Sequence, residues 1–157
     1  MPARKLKQFL DENNINYKSY RHEEAYTAQE LAAVQHIPGR EWAKSVIVKV
    51  GEDKYVMVVA PAHYMIDLDR LQAFIGKETW LATEEEFKGL FPDCEVGAMP
   101  PFGNLYNLEV YADEALQRDE YITFNAGTHG ESIRMKYADF ERLVNPKQGK
   151  FGSKMAA

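Results

Sequence analysis

Cysteine is nearly absent from this chain. Cys94 stands alone, so no internal disulfide can form and no Cys-x-x-Cys pair exists for redox or zinc chemistry. A lone thiol fits a reducing cytoplasm, and the expected location is cytoplasmic. No apolar run approaches the ~20 residues that span a bilayer, which argues against a membrane helix. The segment Met1-Pro2-Ala3-Arg4-Lys5-Leu6-Lys7 is basic, but it leads into an amphipathic pattern and lacks the apolar stretch of a signal peptide. Basic excess is missing too: the net charge is −5, whereas a protein that coats nucleic-acid backbone works by neutralising phosphate. Extensive duplex binding is disfavoured. Contact with the tip of a nucleic acid through a few local lysines and arginines is not. His22, His36, His63 and His129 fall into no recognised zinc spacing, and GxSxG, P-loop and GxGxxG motifs are lacking. Neither a metal nor another cofactor is expected.

Against these absences stands the segment Gly97-Ala98-Met99-Pro100-Pro101-Phe102-Gly103. Two prolines and two glycines within seven residues suit neither a helix interior nor a central strand. Yet Ala98, Met99 and Phe102 are apolar. The segment reads either as a structural turn or as a stiff loop that grips a ligand with the N–H groups of Gly97, Ala98 and Met99.

The remaining chain reads as short helices interleaved with hairpins. Leu6, Phe9 and Leu10 recur at helical spacing, and residues 15–21 alternate as an edge strand would. Thr27-Ala28-Gln29-Glu30 and Thr83-Glu84-Glu85-Glu86 are capping boxes. Residues 44–50 and 55–60, joined through Gly51-Glu52-Asp53-Lys54, predict a β-hairpin. Helices are predicted from Asp67 to Gly76 and over Tyr137–Val144. Strands are predicted over 108–111, 121–125 and 132–135. Residues 1–146 read as one domain, followed by a flexible basic tail over 147–157. The class is α+β with a mixed, largely antiparallel sheet.

Two further residues could carry chemistry. Lys44 opens the first strand of the hairpin, either as a solvated lysine or as a point charge for a phosphate or carbonyl oxygen. His129, between Gly127-Thr128 and Gly130, is either a turn residue or a hydrogen-bonding group placed at a cleft. Asn125, Thr128 and Ser132 could add polar contacts or simply serve the turn.

Taken in order, the Thr27 capping box, Lys44, Gly97-x-x-x-Pro101 and Ala126-Gly127-Thr128-His129-Gly130 resemble the YbaK/EbsC family over residues 20–145. That family includes the prolyl-tRNA synthetase editing domain and its free-standing relatives. The resemblance implies a mixed sheet curled into a pseudo-barrel with surrounding helices. It also implies an aminoacyl-tRNA deacylase that removes a mischarged small amino acid, most often from tRNA for proline. The partner would be the tRNA acceptor end, with transient contact to a synthetase. The catalytic residues implied are Lys44, Gly97, Ala98, Met99 and Pro101. Thr27, Pro100, Phe102, Asn125, Gly127 and His129 would bind substrate. A family histidine is not universal at the position of His129, and Pro100 is an addition to the minimal loop pattern.

An aminoacyl ester is activated, so positioned water and preorganised oxyanion donors can suffice for its hydrolysis. Alanine is the first expectation for the released amino acid, with serine, threonine and cysteine close behind; Met99, Phe102 and Tyr106 either line its pocket or belong to the core. Two rival readings remain. One is a non-catalytic module that recognises an aminoacyl-nucleotide, an amino acid or a protein partner. The other is an esterase using Cys94 or a serine, for which no base is placed by spacing.

Overall fold

The computed structural model describes residues 4–21, 37 and 41–154. Helix α1 (Arg4–Glu12) buries Leu6 and Leu10 and turns into β1 (Tyr17–Arg21). The hairpin β2 (Ala43–Val50) and β3 (Lys54–Pro61) turns at Gly51, whose φ is 63°. After β4 (Tyr64–Ile66), Asp67 caps α2 (Leu68–Ile75) by accepting the N–H groups of Asp69 and Arg70, and left-handed Gly76 ends that helix. Strand β5 (Thr79–Leu81) precedes the one-turn α3 (Glu84–Phe87), whose Thr83–Glu86 capping box forms as the sequence predicts. Strands β6 (Glu109–Asp113), β7 (Tyr121–Asn125) and β8 (Glu131–Lys136) follow. Helix α4 (Tyr137–Val144) stops at left-handed Asn145. The first predicted capping box, at Thr27, lies outside the described residues.

The fold is α+β with mixed sheets. With β9 (Lys147–Gly149) at one edge, the five-stranded sheet runs β5-β2-β3-β6-β9, with β3-β6 and β6-β9 parallel. The three-stranded sheet runs β1-β8-β7, wholly antiparallel, with β1 at an edge. A third sheet pairs β10 (Gly152–Lys154) with β4. The single curled sheet implied by the family resemblance is not what these ladders form. Strand β5 occupies the Val48–Val50 half of the β2 edge, so β7 meets that edge only at its start, through one Trp42–Thr123 bridge.

Alternation along the hairpin separates two cores. Ala43, Ile47, Met57 and Val59 join Phe102, Phe124, Ile133 and Phe140 in the main core. Val48, Val50, Val56 and Val58 pack against Leu71, Tyr111 and Phe151 on the other face.

The predicted flexible tail needs correction over residues 147–154. Lys147–Gly149 forms β9 on the free edge of β6, and Gly152–Lys154 forms β10. Between them Phe151 is fully buried against Phe74 and Tyr111. Buried Asp113 accepts the N–H groups of Phe151 and Gly152 at 2.9 and 2.8 Å, which ties the segment down. A Cβ at Gly152 would lie 2.9 Å from the Met65 carbonyl oxygen, so the strand approaches β4 too closely for a side chain. A basic, glycine-containing stretch with one aromatic residue gives no periodic signal for such packing.

Candidate functional site

The Gly/Pro loop is supported from below by rings. Phe102 is fully buried against Phe9, Phe124 and Phe140, at centroid distances of 6.2, 5.7 and 5.6 Å. It therefore holds the loop from within the core and does not face a cleft, contrary to its expected substrate contact. Ala98, Met99, Pro100 and Pro101 are buried, while Gly97 is exposed with φ 85°. That left-handed conformation suits glycine and reverses the chain at the tip of the loop.

A second segment clamps this loop. Gly127, with φ 94°, donates its N–H to the Ala98 carbonyl at 2.8 Å and accepts the Glu95 N–H at 2.7 Å. The His129 N–H donates to Glu95 Oε1 at 3.1 Å, and its ring Nε2 lies 3.0 Å from the Val96 carbonyl oxygen. A carbonyl only accepts, so Nε2 is the donor in this contact. A Cβ built at Gly97 would lie 3.5 Å from His129 Cε1. The two motifs that stand apart in sequence thus form one unit. Glu95 and Val96, which hold His129, carry no sequence signal because one works through a flexible carboxylate and the other through its backbone.

The loop donors are not all free. The Ala98 N–H is taken by the Glu95 carbonyl at 3.1 Å, a correction to the set of three expected donors. Among the described residues, the N–H groups of Gly97 and Met99 have no protein acceptor. Asn125 sits half-buried at the end of β7, opposite Ser132 and two residues before Gly127.

Glu131, at the start of β8, is buried, and no sequence motif marks it. Ser19 donates to it at 2.7 Å, and the Lys7 ammonium forms an ion pair with it. Burial pushes its carboxyl up, but the hydrogen bonds from Lys7 and Ser19, with Arg21 nearby, hold it below the usual range. Its backbone carbonyl accepts the Ala126 N–H at 2.9 Å and so closes the 126–131 turn.

Lys44 is placed differently. Strand alternation puts it opposite Ala60, on the face of Val46 and Val48, whereas the loop packs on the face of Ala43 and Ile47. Its half-buried ammonium donates to the Tyr64 carbonyl, and burial lowers its pKa. No hydrogen bond joins it to residues 97–101 among the described residues. Cys94 is a poor nucleophile. Burial pushes its thiol up to about 11, and it sits 3.3 Å from the Tyr106 hydroxyl, itself bonded to Asp93 at 3.0 Å. Tyr106 packs against Phe91 beside the main core. Among the described residues, no three His, Cys, Asp or Glu side chains converge as metal ligands would, and no helix is long and apolar enough to cross a membrane.

Residues 22–143 match the family described as the aminoacyl-tRNA editing domain. The multifunctional Ser/Thr-tRNA deacylase ProXp-y of Escherichia coli (strain K12) is 28% identical over 148 residues, covering 91% of this chain and 88% of that protein. The proline–tRNA ligase of Macrococcus caseolyticus is 28% identical over 138 residues, or 81% of this chain but 24% of the ligase. A crystal structure of a candidate trans-editing enzyme for prolyl-tRNA synthetase superposes with a TM-score of 0.79 at 23% identity, covering 99% of this chain and 98% of that one; it speaks for the fold alone. With the family match spanning most of its length, the chain belongs to the aminoacyl-tRNA editing domain family, as a homologue of ProXp-y and of the editing domains of prolyl-tRNA synthetases.

Proposed function

We propose that this chain hydrolyses the ester between a mischarged small amino acid and the terminal adenosine of tRNA, with tRNA for proline as the first choice. The observation that carries the reading is the Gly97 loop clamped by Gly127 and His129. It presents the Gly97 and Met99 N–H groups on a backbone stiffened by Pro100 and Pro101. Such donors stabilise the oxyanion that develops as water attacks the ester carbonyl, at little reorganisation cost. A hydroxyl of the substrate's own ribose would help activate that water. The substrate side of the site is assigned to Thr27, Asn125, Gly127 and His129.

The name of the Escherichia coli relative brings seryl and threonyl esters level with alanyl as substrates. We place this activity in trans and in the cytoplasm, with only transient contact to a synthetase. Small pockets select by volume, where one methylene is worth ~1–3 kcal/mol, so a group of small amino acids is the natural range.

Lys44 is assigned to the terminal phosphate or ribose, for which its ammonium must leave the Tyr64 carbonyl. That tether is also the one observation favouring a binding module without turnover. The two readings separate in one experiment. Alanyl-, seryl-, threonyl- and cysteinyl-tRNA for proline are incubated with the intact chain and with Lys44→Ala, beside correctly charged tRNA. Release of one or more small amino acids, at least tenfold slower in Lys44→Ala, supports the deacylase. Binding of the charged tRNAs without release above the spontaneous rate supports the module.

A further inference from the structure

The three-stranded sheet has an inner face of Ile122, Phe124, Ile133 and Met135, all buried in the main core. Its register sets Lys18 beside Arg134 and Tyr121 beside Lys136 on the opposite face. Lys18 and Lys136 are exposed, and among the described residues neither has an ion-pair partner. Arg134 is different. Its Nε and Nη2 donate to the two carboxylate oxygens of buried Glu41 at 2.9 and 3.0 Å. Its guanidinium carbon lies 4.0 Å from the centroid of the Tyr121 ring. The bidentate bond and the stacked ring together fix the guanidinium plane. These residues border a hollow of about 360 Å³ with Asn16 and Tyr17.

On a chain of net charge −5, two exposed lysines flanking a fixed Arg–Tyr stack are suited to a polyanion that also carries flat rings. Phosphates would neutralise the lysines, and a base would stack on the guanidinium or the tyrosine, as single-stranded RNA does on such platforms. An acidic protein surface would use the lysines and leave the stack idle. Strand β7 leads from Tyr121 to Asn125, directly into the clamp. Four strand residues span about 14 Å, roughly the length of four stacked nucleotides. We infer that the outer face of β1-β8-β7, centred on Lys18, Tyr121, Arg134 and Lys136, binds a single-stranded stretch of RNA whose 3′ end lies at the Gly97–His129 clamp. The placement of that end rests on the deacylase reading; the binding face stands by itself.

The test measures fluorescence anisotropy of a short 5′-labelled single-stranded RNA ending in ACCA, titrated with the intact chain from about 50 to 200 mM salt. Lys18→Glu/Lys136→Glu is expected to weaken binding at least about tenfold. The slope of log affinity against log salt should become shallower by about 1.4, for two lost phosphate contacts. Tyr121→Leu is expected to weaken binding about fivefold or more and leave the slope unchanged. Thermal melting of each variant checks that the fold is intact. Lys54→Glu/Lys88→Glu makes the same change in net charge on other elements and should leave affinity within about twofold.

Wild-type affinity in the first double variant overturns the proposal, as does an equal loss in the second. So does absence of RNA binding by the parent chain, or equal competition by polyglutamate, which would point to an acidic protein partner. Hydrolysis of a 3′-aminoacyl adenosine, which has no RNA to dock, separates the two readings. The face variants should retain that activity in full. If the parent chain lacks it, the deacylase reading fails while the anisotropy result still decides the RNA face.

Discussion

Gly97 and His129 meet as backbone and ring: the imidazole lies where a Cβ on Gly97 would touch Cε1 at 3.5 Å, while Nε2 reaches the Val96 carbonyl at 3.0 Å. The loop's reversal and the histidine's orientation are therefore one structure. Disturbing either side should be felt by the other.

Gly97→Ala probes the backbone side. The added methyl makes only an ordinary contact with His129, so the cost comes from holding φ near 85°. A left-handed alanine costs roughly 1–2 kcal/mol. The melting midpoint should fall by about 2–8 °C, and deacylation should fall by more than the loss of folded protein explains. Unchanged turnover would show that the chemistry does not need the left-handed tip.

His129→Ala probes the ring side. The residue is exposed and its ring gives up one hydrogen bond, so stability should fall by about 0.5–1.5 kcal/mol. Deacylation should drop about tenfold or more, through loss of a fixed donor and a looser loop. His129→Gln, which restores an N–H near the Val96 carbonyl, should recover part of the rate. Full activity in His129→Ala would reduce the histidine to a turn residue.

Glu131 links the site to acid stability. Its carboxyl titrates lower in the folded chain than in the unfolded one. Its contribution is therefore present above the ordinary carboxylate value of about 4.3 and is lost as pH falls through the depressed folded value. Glu131→Gln should cost on the order of 1.5–3 kcal/mol at neutral pH, as hydrogen bonds to a charged group are lost. The gap to the parent should close as urea unfolding is repeated at successively lower pH. Parallel curves for the two proteins would show that the Lys7–Glu131–Ser19 arrangement adds no pH-dependent stability.

Phe151 tests whether the end of the described chain belongs to the core. Phe151→Ala should destabilise the protein by about 3–5 kcal/mol, because a fully buried ring leaves a cavity beside Phe74 and Tyr111. Removing residues 147–157 should also free the buried Asp113 carboxylate from two of its N–H donors. A truncated chain as stable as the parent would restore the flexible-tail reading.

Several elements could be read directly from the chain because their signals are local. The β2–β3 hairpin carries its own β-branched alternation and turn glycine. The Thr83 capping box is short-range hydrogen-bond chemistry and forms where the residues place it, and the helix predicted over Tyr137–Val144 forms over those residues. The Gly97–Pro101 loop announces itself for the same reason: φ limits belong to single residues. The order of such motifs also carried the family resemblance.

Tertiary structure decided what depends on partners far apart in the chain. Val96 and His129 come together across 33 positions, and Glu131 finds Ser19 across 112. No spacing rule encodes such pairs, because a folded backbone can bring any two positions into contact. Lys44 shows the same limit: its sequence places it at a strand entrance, but alternation and the Tyr64 carbonyl decide which way its charge points. Phe102 and Phe151 show it from the apolar side. One aromatic ring is ambiguous in sequence, and only the space left by neighbouring rings made both of them core.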